Sequence, residues 1–348
     1  RYLTIYNHLK DQIITGTLKP DQQLPTELQL AKDYNVSRIT SKRALTELES
    51  NGLIYRQQGS GSFVQPNNRP TPNKQLLFVL PFPSDAGLGD YATGVSTTAT
   101  THNYQAVTMD THSFAQLSID EVKAKYSGIV YLPQDLYQEA ERIYRLKLEQ
   151  VPVVLLDKTF PELNLPVVTA DNLNGGQMAT EHLIKLKHEH ILFYAHDDQA
   201  VLPSSVYERY FGYLQALHQA GLDPVSAMSD LHKLNQLTPA AWLTYLHKHH
   251  VTAIVVENDL IAIQLMNSLR TVDPTIWQRL SIIGFDNIQA AGLTYPSLTT
   301  IAQDFKGMGS KAVELLLDAP AKPQIVRRPV QLTKRDSTKL MVATSKED

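Results

Sequence analysis

Cysteine is absent from all 348 residues. That excludes disulfides, iron–sulfur clusters, thiolate zinc sites and a cysteine nucleophile together. It also suits a reducing cytoplasm, which is the expected location. Long apolar runs are missing too: the longest, 76–82 and 151–156, fall far short of the roughly 18 residues of a membrane helix. No membrane partner is therefore expected, and no secretion signal is recognisable. Charge is sparse at 19% of residues, against 43% hydrophobic, so the chain is not disordered. Its length predicts two or three domains with at least one large buried core. A surplus of either charge sign is lacking as well, the formal net charge being −3, and such a total carries no nucleic-acid signature.

The total conceals an uneven distribution. Residues 1–66 hold 8 Lys/Arg and 6 Asp/Glu, which leaves 24 and 29 for the remainder. Between the two parts, residues 66–73 contain three prolines and three asparagines, which excludes a helix or central strand. The expected organisation is a basic domain over 1–66, a linker over 67–74, an α/β domain over 75–336 and a C-terminal tail over 337–348.

In the first part, Tyr2, Tyr6, Leu9 and Ile13 recur on one face of a helix that stops before Gly16. Thr26 to Gln29 has capping-box spacing and starts a second helix; Ser37 caps a third, which ends near Asn51-Gly52. Two short strands around Gly59-Ser60-Gly61 follow, a hairpin. Helix, helix-turn-helix and hairpin together describe a winged helix. On the third helix, Ser41, Ala44, Leu45 and Leu48 share the core side, while Ile39, Lys42, Arg43 and Thr46 face away, with Arg38 at the edge. A major groove admits such a helix, and residues near its N-terminus reach base edges. Gln57 and Gln58 at the hairpin tip suit a minor-groove or phosphate contact. Taken alone, the same pattern also fits an ordinary solvated basic face.

Residues 20–27 (PDQQLPTE), 36–44 (VSRITSKRA) and 52–64 (GLIYRQQGSGSFV) resemble the DNA-binding domain of the GntR family, without a gap. The candidate DNA-binding set is Thr26, Glu27, Ser37, Arg38, Ile39, Thr40, Lys42, Arg43, Gln58 and Gly59. Among these, the resemblance implies operator contacts from Arg38, Thr40, Lys42, Gln58 and Gly59. Lys42 stands where many members place an arginine. A lysine is a point charge rather than a bidentate fork, so a phosphate contact is expected there.

Over 75–336, β-rich runs at 76–82, 105–110, 128–132, 151–157, 191–196, 251–257 and 281–286 alternate with helical stretches such as 135–148, 178–187, 205–220 and 311–317. Alternation of this kind predicts parallel sheets with helices on both faces, in two similar lobes with crossovers near Asp171 and 287–305. Ligands of open α/β sheets bind at the carboxyl ends of strands. Strand ends supply Asp171, Asn258, Asp259 and Asp286, and Arg209 lies in a helix; such groups suit vicinal hydroxyls. Phe82, Tyr131 and Phe285 could cover an apolar sugar face. Each residue alone has a structural alternative, helix capping for the aspartates and a surface ion pair for Arg209. Two decoys are set aside. Gly87, Gly89 and Gly94 imitate a dinucleotide fingerprint with the wrong spacing. His188/His190 and His247/His249/His250 read as solvated connections, so no metal is expected.

Residues 171–176 (DNLNGG), 179–183 (ATEHL), 257–259 (END), 281–287 (SIIGFDN), 296–303 (PSLTTIAQ) and 334–338 (KRDST) resemble the LacI/GalR effector domain. The resemblance implies a periplasmic-binding-protein-like type I bilobal α/β fold, with lobes over 75–173 plus 304–320 and over 174–303 plus 321–336. It also implies sugar contacts from Asp171 or Asn174, Arg209, Asn258, Asp286 and Gln303. Leu132 departs from the pattern where some sugar-binding members carry a polar residue; Gln134 is the available substitute. A GntR-type reader on a LacI-type sensor is similar to the arabinose-repressor family. This implies a repressor that binds double-stranded operator DNA as a homodimer, with L-arabinose as effector and no cofactor; the same architecture responding to another mono- or disaccharide is the alternative. An enzyme, such as a dehydrogenase or a pyridoxal-phosphate protein fused to a winged helix, is the alternative of another class. No ordered catalytic set supports it.

Overall fold

The computed structural model describes residues 2–57, 60–65, 74–81, 89–196, 202–320 and 322–341. The chain forms two compact units that divide between Lys74 and Gln75. Apart from Lys74, the expected linker lies outside the described residues.

The first unit is a winged helix. Helix Tyr2–Ile14 buries Ile5, Leu9 and Ile13. Tyr2 and Tyr6, expected on its core face, are half-buried, because the aliphatic residues at i, i+4 and i+8 form the core line. Helices Glu27–Asp33 and Arg38–Ser50 follow, then an antiparallel hairpin of Ile54–Gln57 and Gly61–Val64, in register Ile54 to Val64. Their shared core holds Leu30, Ala44, Leu45, Leu48, Leu53 and Val64.

The second unit is built on two sheets. A wholly parallel sheet runs in the order Ile325–Arg328, Val167–Ala170, Val153–Leu156, Gly128–Tyr131, Gln75–Leu80, Gln105–Asp110. The other runs Gln331–Thr333, Thr299–Ala302, Ser281–Asp286, Ala253–Val256, Ile191–Tyr194, with only the first strand antiparallel. The chain thus crosses between sheets three times: after Ala170, after Ala302 and between Arg328 and Gln331. Residues 321–336, expected wholly with the second lobe, divide between the two. Strand Ile325–Arg328 pairs in parallel with Val167–Ala170 and so extends the first sheet. Helix Phe305–Asp318 packs on the first lobe, as expected.

Residues 337–341, expected to begin the C-terminal tail, are built into the second lobe. Ser337 is buried, donates to the Ile282 carbonyl (2.6 Å) and accepts the Thr299 N–H (2.8 Å). The Met341 N–H donates to the Leu186 carbonyl at 2.8 Å. This returning segment covers His188, which is buried rather than solvated, with Nδ1 2.9 Å from Thr252 Oγ1 and Nε2 3.0 Å from the Lys339 carbonyl. Burial lowers its pKa, the Lys339 carbonyl opposing.

Helix Asn172–Lys185 begins six residues before the expected start, since Asp171 caps it by accepting the Asn174 N–H (3.3 Å) and the Gly175-Gly176 pair lies inside it. A Cβ on Gly176 would lie 2.0 Å from the Arg209 carbonyl oxygen, and one on Gly212 2.0 Å from that of Leu173. The glycines therefore let this helix touch helix Ser204–Ala220 backbone to backbone, which fixes the position of Arg209. Gly94 has a similar packing role: its Cβ would meet the Lys306 carbonyl at 1.9 Å. Of the fingerprint imitation, Gly87 lies outside the described residues.

Candidate functional site

On the winged helix, the third helix is oriented from its buried side. Ser41 Oγ donates to the Glu27 carbonyl (2.7 Å), tying the two helices of the turn together. Ser37 caps the third helix by accepting the Thr40 N–H (3.3 Å), and its hydroxyl lies 2.9 Å from that of Thr40. Thr26 and Gln29 form the expected reciprocal capping box (3.3 and 2.9 Å). Glu27 is committed to Arg38 (3.2 Å) and Arg56 (3.9 Å), so it orients cations on this face. A carboxylate so placed would repel a phosphate if it stood alone. Arg38 and Lys42 are exposed, and Ile39 is 80% exposed. Arg43 stacks its guanidinium over Tyr2, 4.1 Å from the ring centroid. The helix therefore presents an isoleucine flanked by cations, as its periodicity predicts. Gln58 and Gly59 lie outside the described residues.

In the second unit, a cavity of about 290 Å³ opens at the carboxyl ends of strands from both lobes. Four expected residues meet there: Arg209, Asn258, Asp286 and Gln303. Asp171 and Asn174 do not line it. Asp171 is turned to its own helix as the cap described above, and Asn174 is exposed. Phe82 lies outside the described residues. Neither of the other expected aromatics lines the cavity: Tyr131 donates to Glu139 (2.6 Å), and Phe285 lies under the Arg209 guanidinium at 3.8 Å. The aromatic wall is instead Tyr91 and Phe305, packed edge to face at 4.9 Å. Pro81, Leu132, Gln134, Asp157, Lys158, Ser205 and Glu257 complete much of the lining.

Arg209 is 5% exposed and fully oriented. Its Nε donates to Asn172 Oδ1 (2.9 Å), its Nη1 to the Glu257 carbonyl, and its Nη2 lies 3.9 Å from Asp286 Oδ1. Asn172, itself buried, donates to Thr169 and the Ala170 carbonyl (3.1 and 3.2 Å). Asp286 has φ +115°, a conformation costly for a residue with a Cβ and often concentrated at functional sites. It accepts from Gln303 Nε2 at 2.6 Å. Burial pushes its pKa up to about 8; Asp259 and Asp157 add to this, while Arg209 and Gln303 oppose it. Burial, with Asp157 and Asp286 adding, also keeps the Tyr91 hydroxyl protonated. Among the described residues, Gln303 Oε1 is buried without a hydrogen-bond partner, an unmet acceptor at the cavity wall.

Lys158 lines the cavity but donates to the Pro133 and Gln134 carbonyls (2.6 and 3.1 Å), so its ammonium holds the Leu132–Gln134 wall in place. Glu139 holds the same wall from its N–H groups, accepting from Gln134 and Asp135 (3.0 and 2.8 Å). Asp259 is buried outside the lining. It accepts from Thr300 (2.6 Å) and the Ile288 N–H (2.9 Å), fixing the loop beyond Asp286. Burial raises its pKa to about 6, opposed by those hydrogen bonds. Among the described residues, no group of three or more His, Asp or Glu side chains is arranged to hold a metal ion. No helix there is long and apolar enough to cross a membrane.

Residues 1–64 match the family model for bacterial regulatory proteins of the gntR family, and residues 180–338 match that of the periplasmic binding protein-like domain. The chain is 30% identical to the arabinose metabolism transcriptional repressor of Geobacillus stearothermophilus, over 97% of this chain and 98% of the relative. It is 27% identical to the protein of the same name from Halalkalibacterium halodurans, over 91% and 88%. A LacI family regulator from Enterococcus faecium with bound ribose shares the fold, with a TM-score of 0.62 and 22% identity over 77% of this chain and all of that one. These are regulators, not enzymes. With a GntR-type winged helix joined to a periplasmic-binding-protein-like sensor, the chain belongs to the family of arabinose metabolism transcriptional repressors.

Proposed function

We propose that this sugar-responsive repressor binds operator DNA as a homodimer and is released by L-arabinose bound in the inter-lobe cavity. The unmet Gln303 Oε1 beside Asp286 and Arg209 carries the reading. It provides a buried acceptor, a carboxyl group and a fixed guanidinium within one small cavity, which suits the adjacent hydroxyls of a sugar. Carboxylates outnumber uncommitted cations, since Lys158 is bound to carbonyls, so a neutral sugar fits better than a phosphorylated one. A volume of about 290 Å³ accommodates a pentose more readily than a disaccharide. The relatives' names supply arabinose within that class.

Helix Ser204–Ala220 links the cavity to the lobe arrangement. Ser204 accepts the Thr159 N–H (2.9 Å) and Glu208 pairs with Arg327 (3.1 Å), both across the lobes, while Arg209 faces the cavity. A sugar that bridges the lobes biases their relative angle. It releases DNA by as much as its affinity differs between the free and DNA-bound forms. Exposed Leu293 and Tyr295, two residues apart in the second lobe, support a contact with a second copy. The test is an operator gel shift titrated with L-arabinose, D-xylose, D-ribose and D-galactose. L-arabinose should release the operator at the lowest concentration. Release by another sugar first would replace the effector, and release by none would remove the cavity's assigned role.

A further inference from the structure

The two histidine clusters of the sequence, around 188–190 and 247–250, play no part in the sugar cavity. The fold brings them together at the other end of the second lobe's sheet, where strands Ile191–Tyr194 and Ala253–Val256 begin. There His190, His247, His250 and Arg279 line a second cavity, of about 490 Å³, whose remaining lining is almost wholly apolar and includes Leu246 and Ile276. The rings of His190 and His250 are 6.1 Å apart by their centroids. No carboxylate lines this cavity among the described residues. Arg279 is held in place by Asp273, to which it donates at 2.6 Å.

The composition of this lining runs against that of the domain around it, in which acids outnumber bases 29 to 24 over residues 67–348. Three imidazoles and the guanidinium of Arg279, whose partner Asp273 stands outside the lining, favour an anion. A polyol would find few acceptors among them. The histidines do not meet as a metal site among the described residues. The aliphatic lining favours an apolar body attached to the charged head. We propose that this cavity is a second ligand site, which takes an amphiphilic monocarboxylate. Its carboxylate lies against the imidazoles and Arg279, and its aliphatic or aromatic body lies along Leu246 and Ile276. The site is separate from the sugar cavity and independent of the effector's identity.

Calorimetry of the full chain with sodium octanoate tests this, with acetate supplying the charge alone and 1-octanol the apolar body alone. Octanoate should saturate at one per chain and bind at least about tenfold tighter than either control. The double variant His190→Ala/His250→Ala should weaken it about tenfold, with L-arabinose response unchanged. Histidine ring NMR signals of the unaltered protein should shift on octanoate addition, which covers the case of a variant that fails to fold. Equal binding of octanol would leave only an apolar crevice and overturn the proposal. So would competition between octanoate and the sugar, unshifted histidine signals, or the release of monomers by octanoate, which would assign the face to a second copy.

Discussion

Asp286 is held in a left-handed conformation beside Arg209 and Gln303, in surroundings that oppose its ionisation. A folded-state pKa of about 8 means that the native chain keeps a proton which the unfolded chain gives up near the ordinary value of 3.8. Between those values the native state binds more protons, so this group's contribution to stability declines as pH rises through the window. Asp286→Asn should therefore raise the melting temperature at pH 8 relative to the parent and leave it little changed near pH 4. The same variant should weaken L-arabinose binding several-fold, the change of one neutral hydrogen bond of roughly 0.5–1.5 kcal/mol. Scanning calorimetry and a sugar titration check the two halves, and a melting temperature unchanged at pH 8 would contradict the first. Arg209→Ala should behave differently, losing stability by about 1–3 kcal/mol in denaturant unfolding as well as sugar response, because it leaves the buried Asn172 Oδ1 without its donor. Arg209, Asn258 and Asp286 were legible as single residues because they stand at strand ends or early in a helix, whereas Gln303 came from the family resemblance alone. Tyr91, Phe305 and Asp157 were not legible, since they become neighbours only when the first lobe's elements are brought together. Asp171 shows the converse: its motif is helical capping, and capping is what it does.

Among the elements, the winged helix was readable almost to the residue, because its caps, its periodicity and its turn glycine all indicate the same boundaries. Most strands buried on both faces were plain as apolar runs, but the equally buried Val167–Ala170 and the largely buried Thr299–Ala302 were missed, being four residues long and containing threonine. Short edge strands such as Ile325–Arg328 and Gln331–Thr333 were not, since half of their residues are polar and their partners are far away in sequence. The expected stretch 178–187 starts short of helix Asn172–Lys185, whose first turns hold two consecutive glycines of low helix propensity. In the fold they are the condition for close helix packing, which gives a contrast between two glycines of one helix and its cap. Gly212→Ala places a Cβ 2.0 Å from a backbone carbonyl, with another backbone atom at 2.6 Å, and neither can move aside as a side chain would. It should destabilise the sensor by about 1–3 kcal/mol or more in urea unfolding. Gly221→Ala, with φ +69° and open space around it, should lose only about 1 kcal/mol. Equal losses would mean that helix Ser204–Ala220 shifts freely on its neighbour, and Arg209 would then not be fixed by this packing.

At the scale of the whole molecule, the linker composition and the split of charge marked two domains, although the net charge of −3 hid the DNA-reading part. The third crossing between lobes was hidden, because it depends on where a four-residue strand pairs. Salt dependence can count the chains that bind the operator. Each lysine that neutralises a phosphate contributes about 0.9 to the slope of log affinity against log salt. Lys42 is exposed on the third helix beside Ile39 and Arg38, with no partner among the described residues. If one chain binds, Lys42→Ala should flatten the slope by about 0.9; if a homodimer binds, both half-sites lose a contact and the change should be about 1.8. The larger value is expected. Replacing Leu293 and Tyr295, 81% and 84% exposed, with lysine should then weaken operator binding and reduce the Lys42→Ala effect toward the single-chain value. Filter binding across a salt series measures both, with sedimentation reporting the size of each variant. A slope change near 0.9 in the parent would make the chain a monomeric reader, while an unchanged slope would place Lys42 off the DNA.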